Sequence, residues 1–309
     1  MTSQLSWMGR ALRFESEKML KIVLPKGSLE RATLELLAAA DLNVERASDV
    51  DYRATIDDPR VDEVRILRPQ EIPTYLEQGL FDLGIAGRDW VEETGADLVS
   101  IGKLQYSKVT TNPIKVVVAV SRDSGVTSVA QLRDGVRVST EYPNLTRRFF
   151  EAHDIKADVS LSYGATEAKI PEIADAVVEI TETGRAIRAA GLKIIDTILV
   201  SHTELLANAG AASDPVKRHA MEQIYTLLAG TLSARQQVLL KLNVSADDVD
   251  AVIALLPSMK SPTMSALFGN AGYAIEAVVP RRGINTLIPS LSDAGATAIL
   301  EIPLSKIVP

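Results

Sequence analysis

The sequence predicts an α/β protein with two lobes joined by crossing strands, followed by a C-terminal βαββαβ domain. Three observations carry this. Short apolar runs alternate with helical patterns from Met19 to Leu199, and each run stops at Pro, Gly or a polar cluster. No long linker separates the two halves of that stretch. Past the small-residue segment Asn208–Asp214 (NAGAASD) the rhythm becomes strand, helix, strand, strand, helix, strand, the order of a ferredoxin-like sandwich.

The elements follow in order. Met19–Leu24 (MLKIVL) is a buried strand closed by Pro25-Lys26-Gly27, and Ser28 precedes a helix with apolar residues at Leu29, Leu34, Leu36, Leu37 and Ala40. Val61–Leu67 and Leu80–Ala86 are further strands of a largely parallel sheet. In the second lobe Lys115–Val120, Val136–Thr140, Val159–Ser162, Ala174–Ile180 and Leu192–Leu199 read as strands, with Pro143 and Thr183-Gly184 opening helices. Residues 19–107 with 199–211 form the first lobe on this reading, and 108–198 the second. A long helix fits Pro215–Arg235. The final domain, within 215–309, has strands at Val238–Val244, Pro262–Leu267, Ala274–Val279 and Thr297–Ile302, and helices at Ala246–Leu255 and Ile284–Asp293.

The 309 residues carry 33 basic and 40 acidic side chains, a net charge of −7, and no cysteine. Zero Cys excludes a disulfide scaffold, thiolate zinc sites, iron–sulfur clusters and a Cys nucleophile. The acidic balance argues against a protein that coats nucleic acid, while leaving room for a local basic pocket. The apolar runs are far shorter than the ~20 residues that span a bilayer. Residues 1–18 read as a frayed extension without the apolar core of a signal peptide, and the expected compartment is the cytoplasm.

Chemistry concentrates at strand ends. On Ala174–Thr181 the residues Asp175, Val177, Glu179 and Thr181 share one face. The strand feeds Glu182-Thr183-Gly184 and a helix through Arg185 and Ala186. A Gly-containing loop at a helix N-terminus presents free N–H groups that suit a phosphate, and a carboxylate just before it suits sugar hydroxyls. That is the logic of a ribose-phosphate site; the alternative is a plain βα turn with solvated acids. Asp175 and Glu179 are four residues apart, roughly 13 Å along a strand. Glu179 is therefore the carboxylate nearer the loop, and Asp175 takes a structural or metal-water role at the other end.

Lys26, Arg68 and Arg88 each follow a strand end, where open α/β sheets collect ligands. Three cations there suit polyphosphate; singly, each reads equally as a surface charge. Gly27 and Gly87 accompany two of them. Asp89 serves the site or caps the next helix. Tyr142 stacks on a ligand or packs, with Pro143 starting its helix. His153, His202 and His219 are scattered, with no second His at ligand spacing. No Walker loop, GxGxxG fingerprint or GxSxG elbow is present.

Read together, PKGSL (Pro25–Leu29), LRP (Leu67–Pro69), FDLGIAGRDW (Phe81–Trp90), TEYPNLTRRFF (Thr140–Phe150), ADAVVEITETGRAIR (Ala174–Arg188) and the tail Val278–Leu300 closely resemble one family. From about Met19 to the C-terminus the chain looks like a long-form ATP phosphoribosyltransferase, which opens histidine biosynthesis. The resemblance implies a catalytic core like type II periplasmic binding proteins. It implies transfer of a phosphoribosyl group from phosphoribosyl pyrophosphate to N1 of ATP, with Mg²⁺, releasing pyrophosphate. Arg88, Glu179 and Asp175 become the catalytic candidates. Lys26, Gly27, Arg68, Gly87, Asp89, Tyr142, Pro143, Glu182, Thr183, Gly184, Arg185 and Ala186 become the substrate-binding ones. The resemblance further implies a homo-oligomer, a hexamer with a dimer as the alternative, inhibited by L-histidine in the C-terminal domain. The matching positions there are Ser261, Thr263 and Ala298.

The chemistry agrees with that inventory. Adenine N1 is already a nucleophile, so no strong base is obligatory. The demanding step is pyrophosphate departure from a cationic, sugar-centred transition state, which positioned cations, Mg²⁺ and a carboxylate address. The chain departs from many relatives at Ile173 (Gly in many), Glu179 (Asp) and Ala186 (Thr or Ser). Lys241 stands near where some relatives place an acid for the histidine ammonium. Two rival readings are a solute-binding protein of the same architecture and a non-catalytic paralogue.

Overall fold

The computed structural model describes residues 19–106, 113–257 and 261–308. These fall into two compact units. One comprises the segment before Ala39 together with Leu42–Tyr225; the other comprises Ala39–Asp41 together with the chain from Thr226.

The first unit holds two lobes. Lobe I runs β1 (Leu20–Pro25), α1 (Glu30–Ala39), β2 (Val44–Glu45), β3 (Arg53–Ile56), β4 (Val61–Leu67), α2 (Ile72–Glu77), β5 (Leu83–Gly87), α3 (Arg88–Thr94) and β6 (Val99–Leu104). Lobe II runs β7 (Ile114–Ser121), β8 (Arg137–Thr140), α4 (Pro143–Glu151), β9 (Asp158–Leu161), β10 (Ala176–Thr181), α5 (Arg185–Ala189) and β11 (Leu192–Ser201). The chain then re-enters lobe I as β12 (Thr203–Ala207), followed by α6 (Ala209–Ser213) and α7 (Pro215–Arg235).

Lobe I has seven strands in the order β2-β3-β4-β1-β5-β12-β6. Only the centre, β4-β1-β5, is parallel; β3, β12 and β6 pair antiparallel. The largely parallel expectation thus describes the middle of a mixed sheet. The missed strands are short, or, like β12, lie beside a residue-level boundary that apolar patterning blurs. The sheet of lobe II, β11-β7-β10-β8-β9, is also mixed. Val116, Val117, Val118, Ala119 and Val120 of β7 are all buried. β7 lies between β11 and β10, so both of its faces and both of its edges are covered. That is why its sequence reads as one continuous apolar run rather than an alternation.

The crossover falls later than the sequence suggests. Leu199, Val200 and Ser201 still pair with β7 in lobe II, so lobe I resumes at Thr203 rather than Leu199. The NAGAASD link is not a loop: Asn208 caps α6, its side-chain oxygen accepting from Ala211 N at 3.0 Å.

The second unit continues from α7 with β13 (Gln237–Val244), α8 (Val249–Leu255), β14 (Thr263–Ala266), β15 (Tyr273–Pro280), α9 (Ile284–Asp293) and β16 (Thr297–Pro303). All pairs are antiparallel in the order β14-β15-β13-β16, the ferredoxin-like arrangement expected. Val238, Leu240, Leu242 and Val244 alternate into a core shared with Val252 of α8 and Leu291 of α9. This period-2 pattern matches a sheet with one covered face.

Candidate active site

A cleft of about 670 Å³ opens between the two lobes. Lobe I contributes Ser28, Gln70, Asp89 and Trp90. Lobe II contributes Glu141, Tyr142 and the loop from Ile180 to Ala186. Ser201, His202 and Thr203 line it where the chain crosses.

Asp89 stands at the centre. It sits in the first turn of α3 and is 2 % exposed. Its Oδ1 accepts from the Ser201 hydroxyl at 2.6 Å, and its Oδ2 from the Tyr142 hydroxyl at 2.8 Å. Ser201 Oγ in turn accepts from the Asp89 backbone N–H at 3.0 Å. Burial pushes the Asp89 carboxyl above its ordinary range, and the Ser201 and Tyr142 bonds offset this only in part. Burial, with the Asp89 charge beside it, drives the Tyr142 hydroxyl well above the usual phenol value. Gly87 makes room for this: a Cβ there would overlap the Asp89 carboxylate.

The two lobes meet along α3 and α4. Glu93 of α3 is buried, and its two oxygens accept from the Asn144 and Leu145 N–H groups at 3.0 and 2.8 Å. It therefore caps the first turn of α4 from the other lobe, where an anion also meets the positive end of the helix. The Trp90 and Tyr142 rings lie 4.5 Å apart, and the Arg148 guanidinium donates to the Glu92 carbonyl.

The expected loop is formed as a tight turn. Gly184 adopts φ +71° at the N-cap of α5, and its N–H donates to Thr181 Oγ1 at 2.7 Å. Arg188 reaches back to the Thr183 carbonyl at 2.9 Å. A side chain on Gly184 would be strained by that φ and would meet the Arg188 guanidinium. Thr181, Glu182, Thr183, Arg185 and Ala186 line the cleft.

The carboxylates of β10 separate. Asp175 precedes the strand and is held by Arg137: Oδ1 accepts from Nη2 at 2.7 Å, and Oδ2 from the backbone N–H at 3.0 Å and Nε at 3.1 Å. The Arg137 side-chain bond holds its carboxyl below the usual range. Arg137 also donates to the Glu172 and Pro171 carbonyls. Neither Asp175 nor Glu179 is among the residues that line the cleft, and the pairing with Arg137 gives Asp175 a structural part at the start of β10. Glu179 is largely buried beside the loop. Burial raises its carboxyl, the Ile180 N–H at 2.9 Å and Thr166 counter this, and the Glu141 and Glu167 charges raise it further. Burial also raises Glu141, a cleft residue that the motif reading quoted but did not select.

The three strand-end cations flank the cleft rather than line it. Lys26 Nζ sits 3.9 Å over the Tyr52 ring. Arg88 pairs with Glu92 at 2.7 Å, and Arg68 is exposed. Gly27 is exposed ahead of α1, its N–H donating to Glu30 at 3.1 Å. Pro143 is the first residue of α4. Sequence reading missed Trp90, Gln70 and His202. Trp90 lay inside a quoted motif; nothing local distinguishes His202, which the crossover alone brings to the cleft. Among the described residues no three His, Asp or Glu side chains converge as a metal cage.

In the second unit, Thr263 lies on β14 and Ala298 on β16, opposite edges of the sheet. Three strand spacings, roughly 14 Å, separate them. Ala298 has φ +47°, beside the register shift between Lys241 and Asn243. Lys241 forms an ion pair with Glu276 at 2.7 Å, and Glu276 is also the cross-strand partner of Thr263.

Two α/β lobes with a double crossover and a ligand-sized cleft between them define a core of the type II periplasmic-binding-protein kind. The family model described as ATP phosphoribosyltransferase matches residues 68–230, and that of the HisG C-terminal domain matches 234–306. Curated ATP phosphoribosyltransferases are similar over nearly the whole chain. That of Pelotomaculum thermopropionicum is 43 % identical over 94 % of this chain and 99 % of its own. That of Nitratidesulfovibrio vulgaris (strain Miyazaki F) is 46 % identical over 94 % and 98 %. A solved structure of the ATP phosphoribosyl transferase (HisG:HisZ) complex from Thermotoga maritima superposes with TM-score 0.58 at 27 % identity, over 68 % of this chain and 98 % of that one. The chain belongs to the ATP phosphoribosyltransferase family, in its long form with the C-terminal domain. It is a pentosyltransferase of histidine biosynthesis. No helix among the described residues is long and apolar enough to cross a membrane.

Proposed function

We propose that the interlobe cleft joins N1 of the adenine of ATP to the anomeric carbon of phosphoribosyl pyrophosphate, releasing pyrophosphate. One observation carries this most: the Thr181–Ala186 turn, with its Gly184 left-handed cap, faces Trp90 and Tyr142 across a single cleft. The 5-phosphate would rest on the turn, with Ala186 offering only its backbone where a hydroxyl residue would add a donor. The adenine would lie towards the aromatic pair. Glu179, beside the turn, supplies negative charge to the sugar as positive charge develops on it. The N1–C1′ bond forms from the nitrogen lone pair while the C1′–O bond breaks and its electrons leave with pyrophosphate.

Among the described residues that line the cleft, Asp89, Glu141 and Glu182 face one arginine, Arg185. A polyanion enters such a cleft with its charge already partly neutralised. Mg²⁺ arriving with the pyrophosphate would meet that need, with Lys26, Arg68 and Arg88 adding positive field at the rim.

The C-terminal domain would bind L-histidine as a feedback inhibitor. One histidine cannot touch Thr263 and Ala298 within a single chain, so this reading requires the edges of two copies and hence a homo-oligomer, a hexamer on this proposal. Glu276, between Thr263 and Lys241 in one cross-strand row, is the acid available to the ammonium. Ser261 lies just before β14. The compartment proposed is the cytoplasm, where both substrates are present.

The test is formation of phosphoribosyl-ATP by ultraviolet absorbance, with ATP, phosphoribosyl pyrophosphate, Mg²⁺ and pyrophosphatase, with and without L-histidine. Product that falls with histidine supports both parts. Product indifferent to histidine removes the regulatory part, and bound substrates without product favour the paralogue.

A further inference from the structure

Glu141 stands in the cleft with nothing holding its carboxylate. It follows β8 directly and lines the cleft beside Tyr142. Its neighbours on both sides are fixed. Thr140 is 0 % exposed, and its carbonyl accepts from the Ser162 N–H at 2.7 Å. The Thr140 hydroxyl oxygen accepts from the Tyr142 N–H at 2.9 Å. Tyr142 is tied to Asp89 and laid against Trp90, and Pro143 starts α4. Glu141 is thus presented to the cleft from a rigid frame.

The other carboxylates that line the cleft are placed differently. Both oxygens of Asp89 already accept, from Ser201 and Tyr142. Glu182 belongs to the turn on which the 5-phosphate would rest. Glu141 is half-buried, yet it has no hydrogen-bond or ion-pair partner among the described residues. Burial raises its carboxyl, and no donor offsets this. An acceptor of this kind favours a ligand that brings a donor.

The reaction supplies one. The adenine would lie towards Trp90 and Tyr142, next to Glu141. Beside N1, which must stay free to attack, that base carries its 6-amino group, which donates. When N1 bonds to C1′ the purine gains positive charge, shared between N1 and the 6-amino nitrogen. A carboxylate on the 6-amino hydrogens therefore holds the transition state more tightly than the substrate. A 6-oxo purine would turn an oxygen towards the same carboxylate and be repelled.

We propose that Glu141 is the residue that selects adenine: its carboxylate accepts from the 6-amino group and steadies the positive charge that forms on the base. This rests on the reading of the cleft as the site of phosphoribosyl transfer to ATP, and it deepens that reading by naming what recognises the base.

The test compares nucleotides on the full-length protein. Binding of ATP, inosine triphosphate, 2′-deoxy-ATP and purine riboside triphosphate, which lacks the 6-amino group, is measured by calorimetry with Mg²⁺ present. Wild type should bind ATP about tenfold or more tighter than purine riboside triphosphate, as one hydrogen bond to a charged acceptor requires. Glu141→Ala should lose that preference and the rejection of inosine triphosphate, with KM for phosphoribosyl pyrophosphate unchanged. Glu141→Gln keeps an oxygen but not the charge, so it should retain much of the ATP affinity while kcat falls about tenfold. Thermal unfolding identifies a variant that does not fold, and Glu141→Gln, nearly the same in shape, reports independently of Glu141→Ala. A preference for ATP over purine riboside triphosphate that survives in folded Glu141→Ala overturns the proposal, as does an unchanged kcat in Glu141→Gln. Loss of discrimination against 2′-deoxy-ATP instead would put Glu141 on the ribose, and a raised Mg²⁺ requirement alone would put it on the metal; either result overturns it too. A wild type that shows the 6-amino preference but forms no phosphoribosyl-ATP overturns the reaction and leaves the contact with the base standing.

Discussion

The Tyr142 hydroxyl donates to Oδ2 of Asp89 at 2.8 Å, and this bond joins lobe II to lobe I across the floor of the cleft. Each partner depends on the other. Asp89 is buried and needs donors; Tyr142 is buried and needs an acceptor. The Ser201 hydroxyl completes the set from the crossing strand. Three separate stretches of chain therefore converge on one carboxylate.

Tyr142→Phe keeps the ring against Trp90 and deletes only the donor. A hydrogen bond to a charged acceptor contributes about 1.5–3 kcal/mol, so the urea midpoint should fall accordingly with little change in slope. A midpoint equal to wild type would show that the bond holds nothing together.

Asp89 gives stability a defined pH dependence. Its folded pKa is raised by burial, so between the unfolded and folded values the native state binds more protons than the unfolded chain. Stability contributed by this group is fully present below the unfolded value and is lost as pH rises through the folded one. Urea unfolding of wild type and Asp89→Asn from about pH 4 to pH 7 should show the wild type losing stability relative to the variant as pH rises. A pH-independent difference would contradict the sign.

Glu93 caps α4 from the opposite lobe. Glu93→Ala leaves two N–H groups without acceptors and removes an anion from the helix N-terminus, at a cost of about 1–2 kcal/mol. If the lobes hinge at this contact, trypsin should also cleave the variant faster than wild type. Glu93→Gln, which retains one acceptor, should fall between.

Arg88 lies at the rim, paired with Glu92. Arg88→Ala should raise KM for phosphoribosyl pyrophosphate and lower kcat, because pyrophosphate loses positive field on entry and on departure. Unchanged kcat and KM would remove Arg88 from the site. Ala186→Thr, which adds a hydroxyl to the turn, should lower KM for the same substrate by several-fold, on the order of one added hydrogen bond.

Glu276→Gln tests the regulatory proposal. Inhibition by L-histidine should weaken about tenfold or more, as expected when a charged partner of an ammonium is lost, while the uninhibited rate stays unchanged. Equal sensitivity would leave the ammonium to another acid.

The sequence by itself determined the type of each element it located, the βαββαβ tail and the Gly-containing turn, but not the short strands β2 and β3, the strands β6 and β12, or α6. Those it determined follow from local causes: period-2 and period-3.6 burial, Pro143 at a helix start, and Gly184 where φ is positive. It also separated Glu179 from Asp175, because strand rise alone sets about 13 Å between them. Only the tertiary structure decided their fates. Asp175 was taken by Arg137, a residue 38 positions away, and Glu179 was left to the Ile180 N–H at 2.9 Å. Likewise Lys26, Arg68 and Arg88 looked alike in sequence, yet Lys26 found the Tyr52 ring, Arg88 found Glu92 and Arg68 stayed exposed. Asp89 read as either a site residue or a helix cap, and it became a buried residue of the cleft because Ser201 reaches it from 112 residues away. Backbone preference acts over a few residues and is written locally; a side chain's charge is settled by whichever partner the fold brings within about 3 Å, and that partner is set by the packing of whole lobes.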